Sequence, residues 1–153
     1  MIMLEQKEQV PYILRSHTKY DEPFIYDTFN RVFREMSPNN FIPHNIFFQS
    51  HSAIIGKILQ RSKCLIACDT QDPDYIFGYI LYDLITTSSN KQILILHWMH
   101  IKAPYRHNGF AREILTSIYP GTKTDAIICS HNNRMFKQCK DRYHLQYDPY
   151  EAI

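Results

Sequence analysis

The stretch from Gln92 to Ile118 joins an apolar strand to an apolar helix through one short turn, and no other segment constrains the fold as strongly. Gln92–Ile101 reads QILILHWMHI, a run of β-formers, and beyond Ala111 the residues Ile114, Leu115 and Ile118 recur at helical spacing. Between them stands Arg106-His107-Asn108-Gly109-Phe110-Ala111. The first N–H groups of a helix lack internal partners and carry the positive end of its dipole, so such a junction favours an anion and can hold a pyrophosphate. Gly109 is expected to let the backbone approach that anion closely. Two other phosphate-binding patterns are absent from the chain: the Gly-Lys-Ser/Thr of a P-loop and Gly-x-Gly-x-x-Gly.

At 153 residues, 44% of them hydrophobic, the chain has the length of one compact domain, expected to span 1–153. A formal charge of +2, from 17 basic and 15 acidic residues, gives no whole-molecule attraction for nucleic acid or for a membrane surface. No apolar run reaches bilayer length. Met1–Gln9 carries Glu5, Lys7 and Glu8 where a signal peptide needs apolar residues, so a soluble cytoplasmic protein is expected. Cys64 and Cys68 fall on one face of an expected strand about 13 Å apart, too far to chelate one ion. Together with Cys129 and Cys139 they are read as reduced thiols, and no metal site is expected.

Val10–Arg15 reads as a first strand. Glu22–Glu35 reads as a helix with Phe24, Ile25, Thr28, Phe29, Val32 and Phe33 on one side, stopped by Ser37-Pro38-Asn39-Asn40. A second helix is expected over Ser52–Gln60, with Ser50 or Ser52 as its cap. Cys64–Cys68 and Tyr75–Leu84 form a hairpin across the turn at 69–74, and Gln92–Ile101 completes a meander. The helix after the glycine turn runs to about Tyr119. Then come a strand at Asp125–Ser130, a helix at Asn132–Arg142 and a terminal strand near Leu145–Ile153. Gly78 interrupts a strand, where glycine marks a bulge or a close backbone contact, and a packing role is the simpler reading.

The order β-α-α-β-β-β-α-β-α-β, together with Arg106-His107-Asn108-Gly109-Phe110-Ala111, resembles the GNAT (GCN5-related N-acetyltransferase) superfamily, whose signature is Arg/Gln-x-x-Gly-x-Gly/Ala. Ile101, Pro104, Tyr105 and Leu115 fill the family's flanking places, and the short tail and low glycine content are similar to short, divergent phage-type members. The resemblance implies an α/β (α+β) GNAT fold: a central mixed, mostly antiparallel twisted sheet of about six or seven strands with about four helices. It implies acetyl-CoA as cofactor. The backbone of Met99, His100, Ile101 and Lys102 would pair with the pantetheine arm where two parallel strands splay. Arg106, His107, Asn108, Gly109, Phe110 and Ala111 would hold the pyrophosphate, and Asn132 and Asn133 would contact the cofactor.

Acyl transfer from a thioester needs an unprotonated amine and a proton for the departing thiolate. By resemblance His97 stands where some GNAT enzymes carry a histidine that helps deprotonate the amine, and its unperturbed pKa suits that task. A buried structural histidine is the plainer alternative. Regular strand alternation would put His97, Met99 and Ile101 on one face and Leu96, Trp98 and His100 on the other. Asp83, with Tyr79 and Tyr82, lies on the preceding strand within reach as a base or amine anchor. The family's tyrosine acid has no counterpart at its usual place, where Lys140 and Asp141 stand, so either Tyr143 takes the role through a shifted turn, Cys139 or Lys140 substitutes, or no specific acid is needed. Arg134, Lys137, Lys140 and Arg142 read as a solvated basic helix face.

The expected function is therefore transfer of an acetyl group from acetyl-CoA to a primary amine, on a small molecule or on a protein lysine or N-terminus, by direct attack in a ternary complex. The short tail would leave the site open or complete it in a homodimer. Two other readings of the same scaffold stay open: a structural or interaction protein without acetyltransferase activity, and a phage nucleic-acid-modifying protein, against which the near-neutral charge counts.

Overall fold

A computed structural model describes residues 10–106, 109–119, 124–137 and 144–152. The strands are β1 (Tyr12–Ser16), β2 (Lys63–Asp69), β3 (Ile76–Thr86), β4 (Gln92–Ile101), β5 (Ala126–Cys129) and β6 (Leu145–Tyr147). The helices are α1 (Glu22–Glu35), α2 (His44–Arg61) and α3 (Phe110–Ile118), and residues 134–137 are helical as well, here α4.

Arg15 of β1 donates to both carboxylate oxygens of Asp21 at 2.7 and 2.8 Å, which clamps the strand to the start of α1. Ile25, Thr28 and Phe29 of α1 are buried, and the helix stops at Met36, ahead of Pro38. α2 begins well before the expected Ser52. Pro43 sits at its cap, so Ser50 and Ser52 are interior residues rather than caps. Its buried stripe is Phe47, His51, Ile55 and Ile58, and the polar His51 conceals that spacing in the sequence. The terminal strand is shorter than expected. Asp148 accepts a hydrogen bond from the Tyr150 amide at 3.0 Å, and Pro149–Ala152 forms a 3-10 turn instead of continuing the strand.

The sheet has six strands in the order β1-β2-β3-β4-β5-β6. β1 to β4 pair antiparallel, whereas β4–β5 and β5–β6 are parallel. One face packs Ile66, Tyr79, Leu81 and Trp98 against Ile25 and Phe29 of α1 and Ile55 and Ile58 of α2. The other packs Ile80, Leu96, Met99 and Ile101 against Phe110, Ile114 and Leu115 of α3 and Phe136 of α4. No helix among the described residues is long and apolar enough to cross a membrane.

Two irregularities shape the middle of the sheet. Gly78 lies opposite Ile101, and a β-carbon there would stand 2.5 Å from the His100 carbonyl oxygen, so close backbone approach replaces the packing role expected for it. Between β3 and β4 the register slips: Leu81 faces Trp98 and Tyr82 faces Leu96, which leaves His97 as an extra residue. A bulge of this kind turns consecutive side chains to the same face. The regular alternation expected around His97 is thereby corrected. Leu96, Met99 and Ile101 share the α3 face, and His97 turns with Trp98 toward α1 and α2.

Candidate active site

β4 and β5 pair from Ile93–Ala126 to Leu96–Cys129, and the Ser130 amide adds a bond to the Leu96 carbonyl at 3.0 Å. Beyond that point β4 continues to Ile101 with no described strand beside it on this edge. The strands fork at His97. In a strand the N–H and C=O of one residue point the same way, so Met99 and Ile101 turn both groups toward the gap. The Met99 carbonyl accepts from Asn133 Nδ2 at 2.7 Å, and the Ile101 carbonyl accepts from Arg106 Nε at 2.7 Å.

These two bonds change the roles expected of several residues. Asn133 is buried, and its Oδ1 also accepts from the Met135 amide at 2.8 Å, so one side chain ties the first turn of α4 to the open edge of β4. Its neighbour Asn132 is exposed. His100 and Lys102 turn away from the gap: the Lys102 amide bonds the Phe77 carbonyl of β3 at 2.9 Å, and the His100 ring lies against Phe24 and Tyr79. Burial, then the cations Arg106, Arg31 and Lys102, push His100 down to about 4.

Gly109 caps α3 with φ 79° and ψ 5°, a left-handed conformation that costs an L side chain about 1–2 kcal/mol. Among the described residues a β-carbon there would meet nothing within 4 Å, so what calls for glycine here is the backbone conformation. Among the described residues no side chain caps the α3 N-terminus, Arg106 is exposed, and the amides of Phe110 and Ala111 stand in the first helical turn. Arg106, the first-turn amides of Phe110 and Ala111 and the gap-facing amides of Met99 and Ile101 are the described groups that could hold the pyrophosphate and amide-bearing arm of an acyl-coenzyme A. His107 and Asn108 lie outside the described residues.

At the apex of the fork His97 is fully buried, and both of its ring nitrogens are engaged. Nδ1 lies 2.7 Å from Ser130 Oγ, across the fork, and Nε2 lies 2.9 Å from Asp83 Oδ2 on β3. Asp83 Oδ2 also accepts from Ser62 Oγ, just past α2, at 2.6 Å. The Asp83 side chain is 20% exposed and that of His97 is 0% exposed, so Asp83 is the member that solvent and ligands can reach. Burial opposes its charge, but hydrogen bonds from His97 and Ser62 outweigh that and hold the carboxyl below the usual carboxylate range.

Sequence reasoning missed what stands behind His97. Ser130 Oγ lies 2.9 Å from His131 Nδ1, His131 Nε2 lies 3.1 Å from His51 Nε2, and His51 Nδ1 lies 2.9 Å from Asn30 Oδ1. Asn30 Nδ2 then donates to Ser52 Oγ at 3.0 Å. Phe29, Phe33 and Phe47 pack around the two distal histidines. Burial, with His51 and His97 as neighbours, pushes His131 down to about 3, and burial pushes His51 down to about 4. Position 51 at helical spacing from Phe47 and Ile55 was the available signal. Tyr79 is fully buried with its hydroxyl on Thr28 Oγ1 at 2.7 Å, and Tyr82 packs on the α3 face, so neither joins Asp83. Trp98 is core, stacked on Phe29. Cys64 and Cys68 are buried free thiols, and Cys129 is buried as well. Tyr143, Cys139, Lys140 and Arg142 lie outside the described residues.

The six-stranded mixed sheet with this helix arrangement is the GNAT fold. A candidate acetyl transferase from Pyrococcus furiosus superposes with a TM-score of 0.67 at 14% identity, covering 86% of this chain and 91% of that one. A candidate acetyltransferase from Clostridium difficile 630 gives 0.59 at 13% identity, with 87% of each chain covered. An aminoglycoside acetyltransferase from an uncultured soil metagenomic sample, in complex with sisomicin, gives 0.51 at 13% identity, covering 87% of this chain and 85% of that one. No protein-family model and no curated protein matches the sequence.

Proposed function

We propose that this protein moves an acetyl group from acetyl-CoA to a primary amine by direct attack in a ternary complex. The observation that carries the reading is the Asp83–His97 pair at the apex of the β4–β5 fork, with the N-terminus of α3, capped by no described side chain, at the fork's mouth. Bound acetyl-CoA supplies an activated acyl thioester. Arg106 and the amides from His107 to Ala111 hold its diphosphate by charge and hydrogen bonding, and the Met99 and Ile101 amides orient its arm.

His97 is sealed from solvent, so the amine meets Asp83. Its Oδ2 carries the bonds from His97 and Ser62, which leaves Oδ1 to receive the acceptor's proton. An amine nitrogen grows far more acidic as its lone pair enters the new C–N bond, so a carboxylate held below its usual range still accepts that proton. Tyr143 is proposed as proton donor to the departing thiolate. The acceptor is an amine on a small molecule or a protein, a class to which the ligand of the metagenomic neighbour belongs.

Calorimetry with acetyl-CoA tests the first half. Binding is expected, and Arg106→Ala is expected to weaken it; absence of binding near millimolar concentration would favour a GNAT-fold interaction protein. Thiol release with an amine panel tests the second half. Asp83→Asn is expected to lower kcat by roughly 10²- to 10⁴-fold with coenzyme affinity unchanged. A fall in coenzyme affinity with kcat intact would remove Asp83 from proton transfer.

A further inference from the structure

The hydrogen bonds from Asn30 to Asp83 form one unbranched chain through three imidazoles and one hydroxyl: Asn30, His51, His131, Ser130, His97, Asp83. Each neutral imidazole has one donor and one acceptor nitrogen, and a hydroxyl has one proton, so choosing the direction of one bond fixes all the others. Asn30 makes that choice. With Nδ2 donating to Ser52 Oγ, its Oδ1 can only accept, so His51 carries its proton on Nδ1 and presents a lone pair at Nε2. His131 then donates from Nε2 and accepts at Nδ1. Ser130 donates to His131 and accepts from His97 Nδ1. The chain arrives at His97 with Nδ1 already a donor, and Nε2 still faces the ionised Asp83.

We propose that Asn30, His51 and His131 are positioning residues that, acting through Ser130, keep His97 protonated on both ring nitrogens, so that an imidazolium stands behind Asp83. Burial favours the neutral form of His51 and His131, the two rings that must be neutral for the chain to run in this direction. The charged and titratable groups facing the chain among the described residues are Asp83 from β3, Arg61 from the last turn of α2, and the histidines themselves. Phe29, Phe33, Phe47 and Trp98 fill the remaining contacts and keep water from breaking the sequence of bonds. The role of the pair in catalysis rests on the function proposed above; the protonation pattern does not.

Nitrogen-15 NMR of histidine-labelled protein at neutral pH reads the pattern directly. The expected result is a proton on Nδ1 of His51, on Nε2 of His131 and on both nitrogens of His97. A single proton on His97, with His51 protonated at Nε2, would mean that the chain runs the other way and would overturn the proposal. Asn30→Asp keeps an acceptor facing His51 but makes it a carboxylate, so the extra proton is expected to move along the chain from His97 to His51, which becomes the doubly protonated ring. Asn30→Ala removes the acceptor, leaving a buried N–H without a partner, and is expected to shift the ratio of doubly to singly protonated His97 by about tenfold. An unchanged His97 in folded Asn30→Ala protein would also refute the assignment, and should that variant not fold, the wild-type and Asn30→Asp spectra still decide it. If the pattern holds while no acetyl transfer is detected with any amine, the proposed function fails and the chain's polarity stands.

Discussion

Gly78 and Gly109 are demanded by different physics, and their alanine variants separate the two. At Gly78 the β-carbon would stand 2.5 Å from a backbone carbonyl oxygen that belongs to the paired strand and cannot move alone. Gly78→Ala is expected to force β3 from β4 and to destabilise the protein by about 1–3 kcal/mol, read by chemical denaturation. At Gly109 no described residue stands within 4 Å of a β-carbon, and the left-handed backbone is the constraint. Gly109→Ala is expected to cost less in stability than Gly78→Ala while weakening acetyl-CoA binding, because it distorts the first turn of α3. Equal stability losses with unchanged coenzyme binding would contradict this division. Both glycines were visible in the sequence, but only the pairing of Gly78 with Ile101 shows which backbone lies in the way.

Among the elements, β4 combines the most legible sequence with the least legible geometry. Its limits, Gln92–Ile101, follow from composition alone, because a run of β-branched and aromatic residues between polar turns has no better conformation. The bulge at His97 does not follow. It arises from how β3 and β4 register against each other, a tertiary property that leaves both strands looking regular in sequence. For the same reason the sequence brought Asp83 near His97 but could not place Ser130, His131 and His51 behind it. The apolar pattern predicts α2 too short at its start because a histidine, His51, occupies a core position, where periodicity counts apolar residues. The tie between α4 and β4 gives a prediction at this scale. Asn133→Ala would free the Met99 carbonyl and the Met135 amide together, and is expected to cost about 1–3 kcal/mol by denaturation. A loss below about half a kcal/mol would mean that α4 is held by Phe136 rather than by Asn133.

For the whole molecule, the buried histidines make stability depend on pH. His51, His100 and His131 would titrate near 6.5 in the unfolded chain, whereas the fold pushes them down to about 4, about 4 and about 3. Below pH 6.5 the unfolded chain therefore binds protons that the folded chain refuses, and stability falls with pH, by up to about 1.4 kcal/mol per pH unit for each histidine. Asp83 acts in a lower window: its folded value is depressed, so its contribution is present above the ordinary carboxylate range and disappears only as pH drops through the folded value. Between pH 7.5 and 4.5 the histidines dominate. The melting temperature is expected to hold near neutrality and then to fall by several degrees by pH 5, well before the carboxylates respond. His100 lies against Phe24 and Tyr79, apart from the Asn30–Asp83 chain, so His100→Gln is expected to remove part of that slope and leave the rest. A melting temperature constant from pH 7.5 to 5 would mean that these histidines are not held neutral in the fold, and the neutral rings that give the Asn30–Asp83 chain its direction would be lost with them.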